Sequence, residues 1–169
     1  MKKLRFSSAC LLIFFCSDLV YSNSDYNVIV IIPDDHARRS MGAYGNKDVI
    51  TPNLDKIANQ GIRFDNAYAA APVCSPSRGA MLSGKYPSQV GLKDFLMLND
   101  NYKDQGIDPN TVLWPKLLRD HGYSTGLIGK WHLGTDESRQ PLSMGFEYFV
   151  GYDQDLSPYD PLLNINGNN

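Results

Sequence analysis

Residues 26–32 read Tyr-Asn-Val-Ile-Val-Ile-Ile, end on Pro33 and run at once into Asp34 and Asp35. A β-branched run without polar alternation has no face to give to water. It is therefore expected as a strand buried on both sides, the mark of a parallel sheet. Helices are expected around it. Thr51 is placed to cap one, with Pro52 at its first position, Leu54, Ile57 and Ala58 as its apolar stripe and Gly61 as its stop. Val112 to His121 reads as a second, with Leu113, Leu117 and Leu118 inward and Gly122 beyond its end; Pro115 allows a start as late as Trp114. Ile62–Phe64 and Tyr123–Gly129 read as short strands. The expected fold class is α/β, a mostly parallel sheet flanked by helices.

Polar residues collect just beyond these strands, where open α/β sheets bind ligands. Asp34 and Asp35 repel each other unless a cation or water intervenes. Adjacent carboxylates suit a hard metal ion, although an acidic turn would look the same. Lys130 and His132 follow the strand ending at Gly129. In extended geometry they share one side, with Trp131 opposite; a snorkelling lysine and a satisfied histidine are the plainer account of the same residues.

The third cluster is residues 72–84, Pro-Val-Cys-Ser-Pro-Ser-Arg-Gly-Ala-Met-Leu-Ser-Gly. It reads as a turn feeding a helix, with Ser75 or Ser77 able to cap and Gly84 ending it in a left-handed conformation. Cys74 then lies just ahead of a helix N-terminus, where unpaired N–H groups favour negative charge. Arg78, one turn on, adds a planar cation suited to an oxyanion. Such a cysteine is a candidate nucleophile or the precursor of one, or else a half-buried structural thiol.

The motif Cys74-Ser75-Pro76-Ser77-Arg78, then three residues, then Leu82-Ser83-Gly84 resembles the sulfatase signature Cys-x-Pro-Ser-Arg-x-x-x-Leu-Thr-Gly. It departs only in Ser83, which keeps the hydroxyl. Asp34-Asp35 after the first strand resembles the family's calcium-binding pair. Gly129-Lys130-Trp131-His132-Leu133-Gly134 resembles the segment whose lysine and histidine contact the nucleophile and the sulfate. Phe64–Tyr68 and Gly145–Tyr152 also resemble family passages. The resemblance covers residues 26 to about 155.

That resemblance implies an alkaline phosphatase-like fold and a sulfuric ester hydrolase acting on a sulfated small molecule or glycan. It implies Cys74, Arg78, Lys130 and His132 as catalytic residues, and Asp34, Asp35 and modified Cys74 as ligands of Ca2+. In the family the cysteine is oxidised to formylglycine by a dedicated formylglycine-generating (sulfatase-maturing) enzyme. One hydroxyl of the hydrated aldehyde attacks sulfur, and the other drives expulsion of sulfate. A phosphonate-monoester or phosphodiester hydrolase of the same superfamily carries similar motifs and stands as the alternative. The later Asp-Asn (or Asp-Gln) pair, second histidine and second lysine of the family are not found in these residues. The expectation is the amino-terminal part of a catalytic domain, a truncated chain inactive by itself.

The 169 residues, 43% apolar and 20% charged, have a formal charge of −2 and no basic stripe of the kind nucleic-acid binding requires. Residues 1–22 read as a signal peptide: Lys2, Lys3 and Arg5, an apolar stretch through Cys16, and a cleavage site at Val20-Tyr21-Ser22. The stretch is too short for a membrane span and Asp18 interrupts it. A lipid anchor on Cys16 is disfavoured by the bulk of Phe14 and Phe15. Residues 23–169 are then the exported part, periplasmic or secreted, with Cys74 its single thiol. A lone thiol in an oxidising compartment is an anomaly that conversion to an aldehyde removes.

Overall fold

The structure is a computed structural model that describes residues 26–97, 104–153 and 164–166. The expected leader, residues 1–22, lies outside the described residues. The chain divides into two compact units at Pro33.

In the first unit, residues 26–33 form no strand, contrary to the expectation of a doubly buried one. Val28, Ile29, Val30, Ile31 and Ile32 are exposed. β-branched composition makes a segment fit for a sheet, but a strand exists only when a neighbour pairs its backbone, and no described residue does so.

The second unit starts at Asp34. Its first part, residues 34–71, carries two 3-10 turns, Arg38–Ser40 and Gly42–Tyr44, and helix α1, Pro52–Gln60. Thr51 precedes α1 without a side-chain capping bond. Its hydroxyl instead accepts from the Gly42 N–H (2.9 Å) and donates to Asp55 Oδ1 (3.0 Å), which also accepts from the Ala43 N–H (2.6 Å). Arg63 donates to the Ala43 carbonyl and Tyr44 to the Phe64 carbonyl. The expected strand at Ile62–Phe64 is absent, and both apolar side chains are exposed.

Helix α2, Cys74–Ser83, follows and ends on Gly84 at φ 67°, in the left-handed conformation expected of it. A 3-10 turn spans Pro87–Val90 and helix α3 spans Trp114–Asp120. The shorter reading of this helix is the correct one: Pro115 sits in its first turn, where a missing N–H costs nothing. Leu113 is fully buried but Leu117 is half exposed. His121 ends α3 with Nδ1 2.8 Å from the Leu117 carbonyl, a contact that suits a C-terminus.

The sheet has the order β1-β2-β3. Strands β1 (Gly126–Lys130) and β2 (Tyr148–Tyr152) run parallel, Gly126 opposite Tyr148 and Lys130 opposite Tyr152. Strand β3, Asn164–Ile165, joins β2 antiparallel. Beside Gly151 the Gly129 backbone approaches so closely that a Cβ would strike its carbonyl. This contact holds the end of β1, and with it Lys130, against β2.

The core gathers Leu82 of α2, Leu113, Phe149 of β2 and the loop residues Val90, Leu92, Leu96, Ile107, Trp131, Leu133, Met144 and Phe146. Residues 92–97 and 104–110, outside any helix or strand, thus supply three core side chains. Ile107 N–H bonds the Leu133 carbonyl and Asp108 N–H the Val90 carbonyl, so the loop's backbone is paired as it enters. Gly79 lets Leu92 lie flush on α2, where any Cβ would collide with it. At roughly 25 cal/mol per Å2 of apolar surface, each large buried side chain contributes about 1.5–3 kcal/mol.

Candidate active site

The expected turn before a capped helix is one residue out of register. Cys74 is itself the first residue of α2, Val73 is the cap position, and neither Ser75 nor Ser77 caps through its side chain. Ser75 is buried instead, with Oγ 3.4 Å from the Leu96 N–H. Cys74 is a half-buried thiol in no disulfide. Arg78 lies one turn along the same helix, so the two side chains leave from neighbouring positions.

Arg78 ties three distant segments together. Its Nη1 donates to the Lys130 carbonyl (2.8 Å) and its Nη2 lies 3.6 Å from Asp34 Oδ2. Lys130 Nζ donates to that same Oδ2 at 2.9 Å, with its side chain only 4% exposed against 44% for Asp34. Partial burial works to raise the Asp34 carboxyl. The Lys130 hydrogen bond and charge, with Arg78 and the backbone N–H of Asp35, outweigh it and hold the group below its ordinary value of 3.8. Asp35, next along, is left-handed at φ 51°, a conformation that non-glycine residues seldom adopt outside turns and functional sites.

His132 departs from the expected geometry. The chain leaves β1 after Lys130, and His132 is left-handed at φ 59°, so it does not continue the strand beside Lys130. Its ring is 1% exposed, Nε2 lies 3.0 Å from the Leu96 carbonyl, and the Phe95 ring meets it edge-on at 4.9 Å. Phe95 and Leu96 were not singled out by sequence reasoning, because nothing local marks a phenylalanine and a backbone carbonyl as neighbours of a histidine 36 residues away. The structure therefore joins Asp34, Arg78 and Lys130 directly, sets Asp35 beside them and Cys74 on the helix of Arg78, and turns His132 toward residues 95–96.

Asp34 and Asp35 offer the hard oxygen donors that suit a divalent cation, while the six to eight oxygens of a calcium shell exceed what two side chains provide. Among the described residues no cluster of three or more His, Cys, Asp or Glu forms a metal site. A cavity of about 740 Å3 runs along α2 through Ser77, Ala80, Met81 and Gly84, walled by Tyr68 and Tyr86, and none of the six candidate residues lines it.

The α/β frame thus carries a cysteine at the start of a helix and an Asp–Arg–Lys cluster tied to that helix through Arg78. The family model for sulfatases matches residues 26–168, and the chain belongs to the sulfatase family. It is 37% identical to arylsulfatase D of Homo sapiens over 151 residues, covering 84% of this chain and 26% of that protein. It is 38% identical to the steryl-sulfatase of Homo sapiens over 151 residues, covering 83% and 26% respectively. Among solved structures it resembles BT4656, described in complex with its substrate D-glucosamine-2-N,6-O-disulfate. That likeness has a TM-score of 0.64 at 36% identity and covers 79% of this chain and 25% of the other. The chain thus spans about a quarter of the length of these relatives, and the alkaline phosphatase-like fold is seen in part.

Proposed function

We propose that this chain supplies the nucleophile and part of the metal site of a sulfuric ester hydrolase that cleaves sulfate monoesters, with a sulfated small molecule or glycan as substrate. The observation that carries the reading is the Asp34–Arg78–Lys130 cluster, which links the three motifs and is anchored through Arg78 to the helix opened by Cys74. The sulfated sugar of BT4656 supports a glycan substrate.

A sulfate ester resists attack because its oxygens carry negative charge. Arg78 and Lys130 are fixed donors, already oriented and partly dry, which is the kind of preorganisation that usually dominates catalysis. Among the described residues their two charges are matched in number by Asp34, which both contact, and its neighbour Asp35. That balance supports a further cation. Asp34 and Asp35, with the oxygen of a modified residue 74, would hold Ca2+, which would supply charge neutralisation and polarisation of the sulfuryl group. Formylglycine at position 74 would supply a hydrated aldehyde in place of a thiol. Arg78 holds the Asp34 carboxylate and the end of β1 in register, Lys130 neutralises developing charge, and His132 handles a proton. Residues 1–22 would direct export to the periplasm or beyond; among the described residues no helix is long and apolar enough to cross a membrane.

Co-expression with a formylglycine-generating enzyme tests the reading. The peptide containing residue 74 should lose about 18 mass units as –CH2SH becomes –CHO, and an unaltered cysteine under those conditions would count against it. In a chain extended to the full length of the relatives, Cys74→Ala should abolish turnover of an aryl sulfate. Faster cleavage of the matching phosphate ester would assign the centre to phosphorus substrates instead.

A further inference from the structure

We infer that Phe95 and the Leu96 carbonyl form a positioning element that holds the His132 imidazole as one tautomer, its proton on Nε2 and its basic lone pair on Nδ1. The Leu96 carbonyl oxygen can only accept a hydrogen bond, so the nitrogen 3.0 Å from it must carry a proton. A neutral imidazole has a single N–H, which makes Nδ1 the nitrogen that accepts.

Three restraints keep the ring from exchanging its nitrogens. The Phe95 ring stands edge-on to it, at 4.9 Å between centroids and 81° between planes, so a flip would drive one ring into the other. The ring is 1% exposed, which leaves water little access to it. Its backbone is held at φ 59°, with the His132 N–H donating to the Asp153 carbonyl at 3.0 Å. Phe95 acts through His132, whose ring it meets. The consequence for chemistry rests on the sulfatase reading: proton transfer by His132 passes through Nδ1, and Phe95 sets where that nitrogen lies.

The test is nitrogen NMR of the chain labelled with 15N-histidine, at mildly alkaline pH, with His132 assigned by its disappearance in His132→Gln. The expected spectrum shows a protonated Nε2 whose proton exchanges slowly, and an Nδ1 of the unprotonated type. Phe95→Leu should speed exchange of that proton by up to about tenfold, the most that one edge-on aromatic pair accounts for, and move both nitrogens toward the mixed-tautomer average. Phe95→Tyr should restore the wild-type spectrum. A protonated Nδ1 in the wild-type chain would overturn the proposal even if no variant folds, and so would a Phe95→Leu spectrum identical to wild type. Because the tautomer is read from nitrogen shifts, a chain that keeps its Nε2 proton while residue 74 stays an unaltered cysteine beside a formylglycine-generating enzyme upholds the positioning role and counts against the sulfatase reading.

Discussion

Residues 34–71 and residues 72–153 are built on different principles. The first stretch contains no buried residue, and it is held by polar links among Thr51, Asp55, Arg63 and Tyr44, with the Arg38 and Arg63 guanidinium groups over the Tyr44 ring. Ile50, Ile57, Ile62, Phe64 and Tyr68 in it are exposed. The second stretch contains the entire apolar core apart from residues outside the description. Both stretches contain a helix, and α1 in the first carries the apolar stripe Leu54, Ile57 and Ala58 yet buries no residue. Pattern alone therefore indicates which face of a helix is apolar, and whether that face is covered depends on what packs there.

Four substitutions, read as shifts in denaturant midpoint of the isolated chain, would break or sharpen this contrast. Phe149→Ala removes a fully buried ring from the core and should cost about 3–5 kcal/mol. If it costs under about 1 kcal/mol, the core of residues 72–153 is not the stabilising unit. Asp55→Ala strips two hydrogen bonds from the polar-linked region, leaves the Ala43 N–H unpaired, and should cost about 1–2 kcal/mol.

Asp34→Asn, at the edge between the two stretches, should cost about 1 kcal/mol near neutral pH, a charged hydrogen bond discounted for the 44% exposure of its side chain. Its pH dependence has a definite sign. The folded carboxyl lies below 3.8, so its stabilising share is present above that value and fades as pH falls through the lower folded one. The acid limb of a stability–pH curve should therefore flatten in the variant, and an unchanged limb would remove Asp34 from the account.

The smallest effect is expected for Phe64→Ala, whose ring is 67% exposed: under about 0.5 kcal/mol. A loss matching that of Phe149→Ala would erase the distinction between the regions. The same logic extends to the metal. With Asp34 already engaged by Lys130 and Arg78, and two carboxylates, Asp34 and Asp35, at the cluster among the described residues, the isolated chain should bind Ca2+ weakly and leave an aryl sulfate uncleaved. Tight binding by calorimetry together with turnover would show that the described residues suffice.

The sequence by itself determined the family, the identities of Asp34, Asp35, Cys74, Arg78, Lys130 and His132, and the helix stops at Gly84 and Gly122. These follow from fixed spacing and from backbone chemistry that acts within a few residues. Only the tertiary structure decided that the apolar run at 26–32 forms no strand, that Leu92, Leu96 and Ile107 enter the core, and that Arg78 reaches the Lys130 carbonyl 52 residues away. It alone turned His132 out of the strand direction and onto Leu96 and Phe95. The reason is physical: strand pairing, burial and the partner of a polar side chain are properties of two segments at once. A local pattern states what a residue is able to join, and the packed chain settles which of those joins is made.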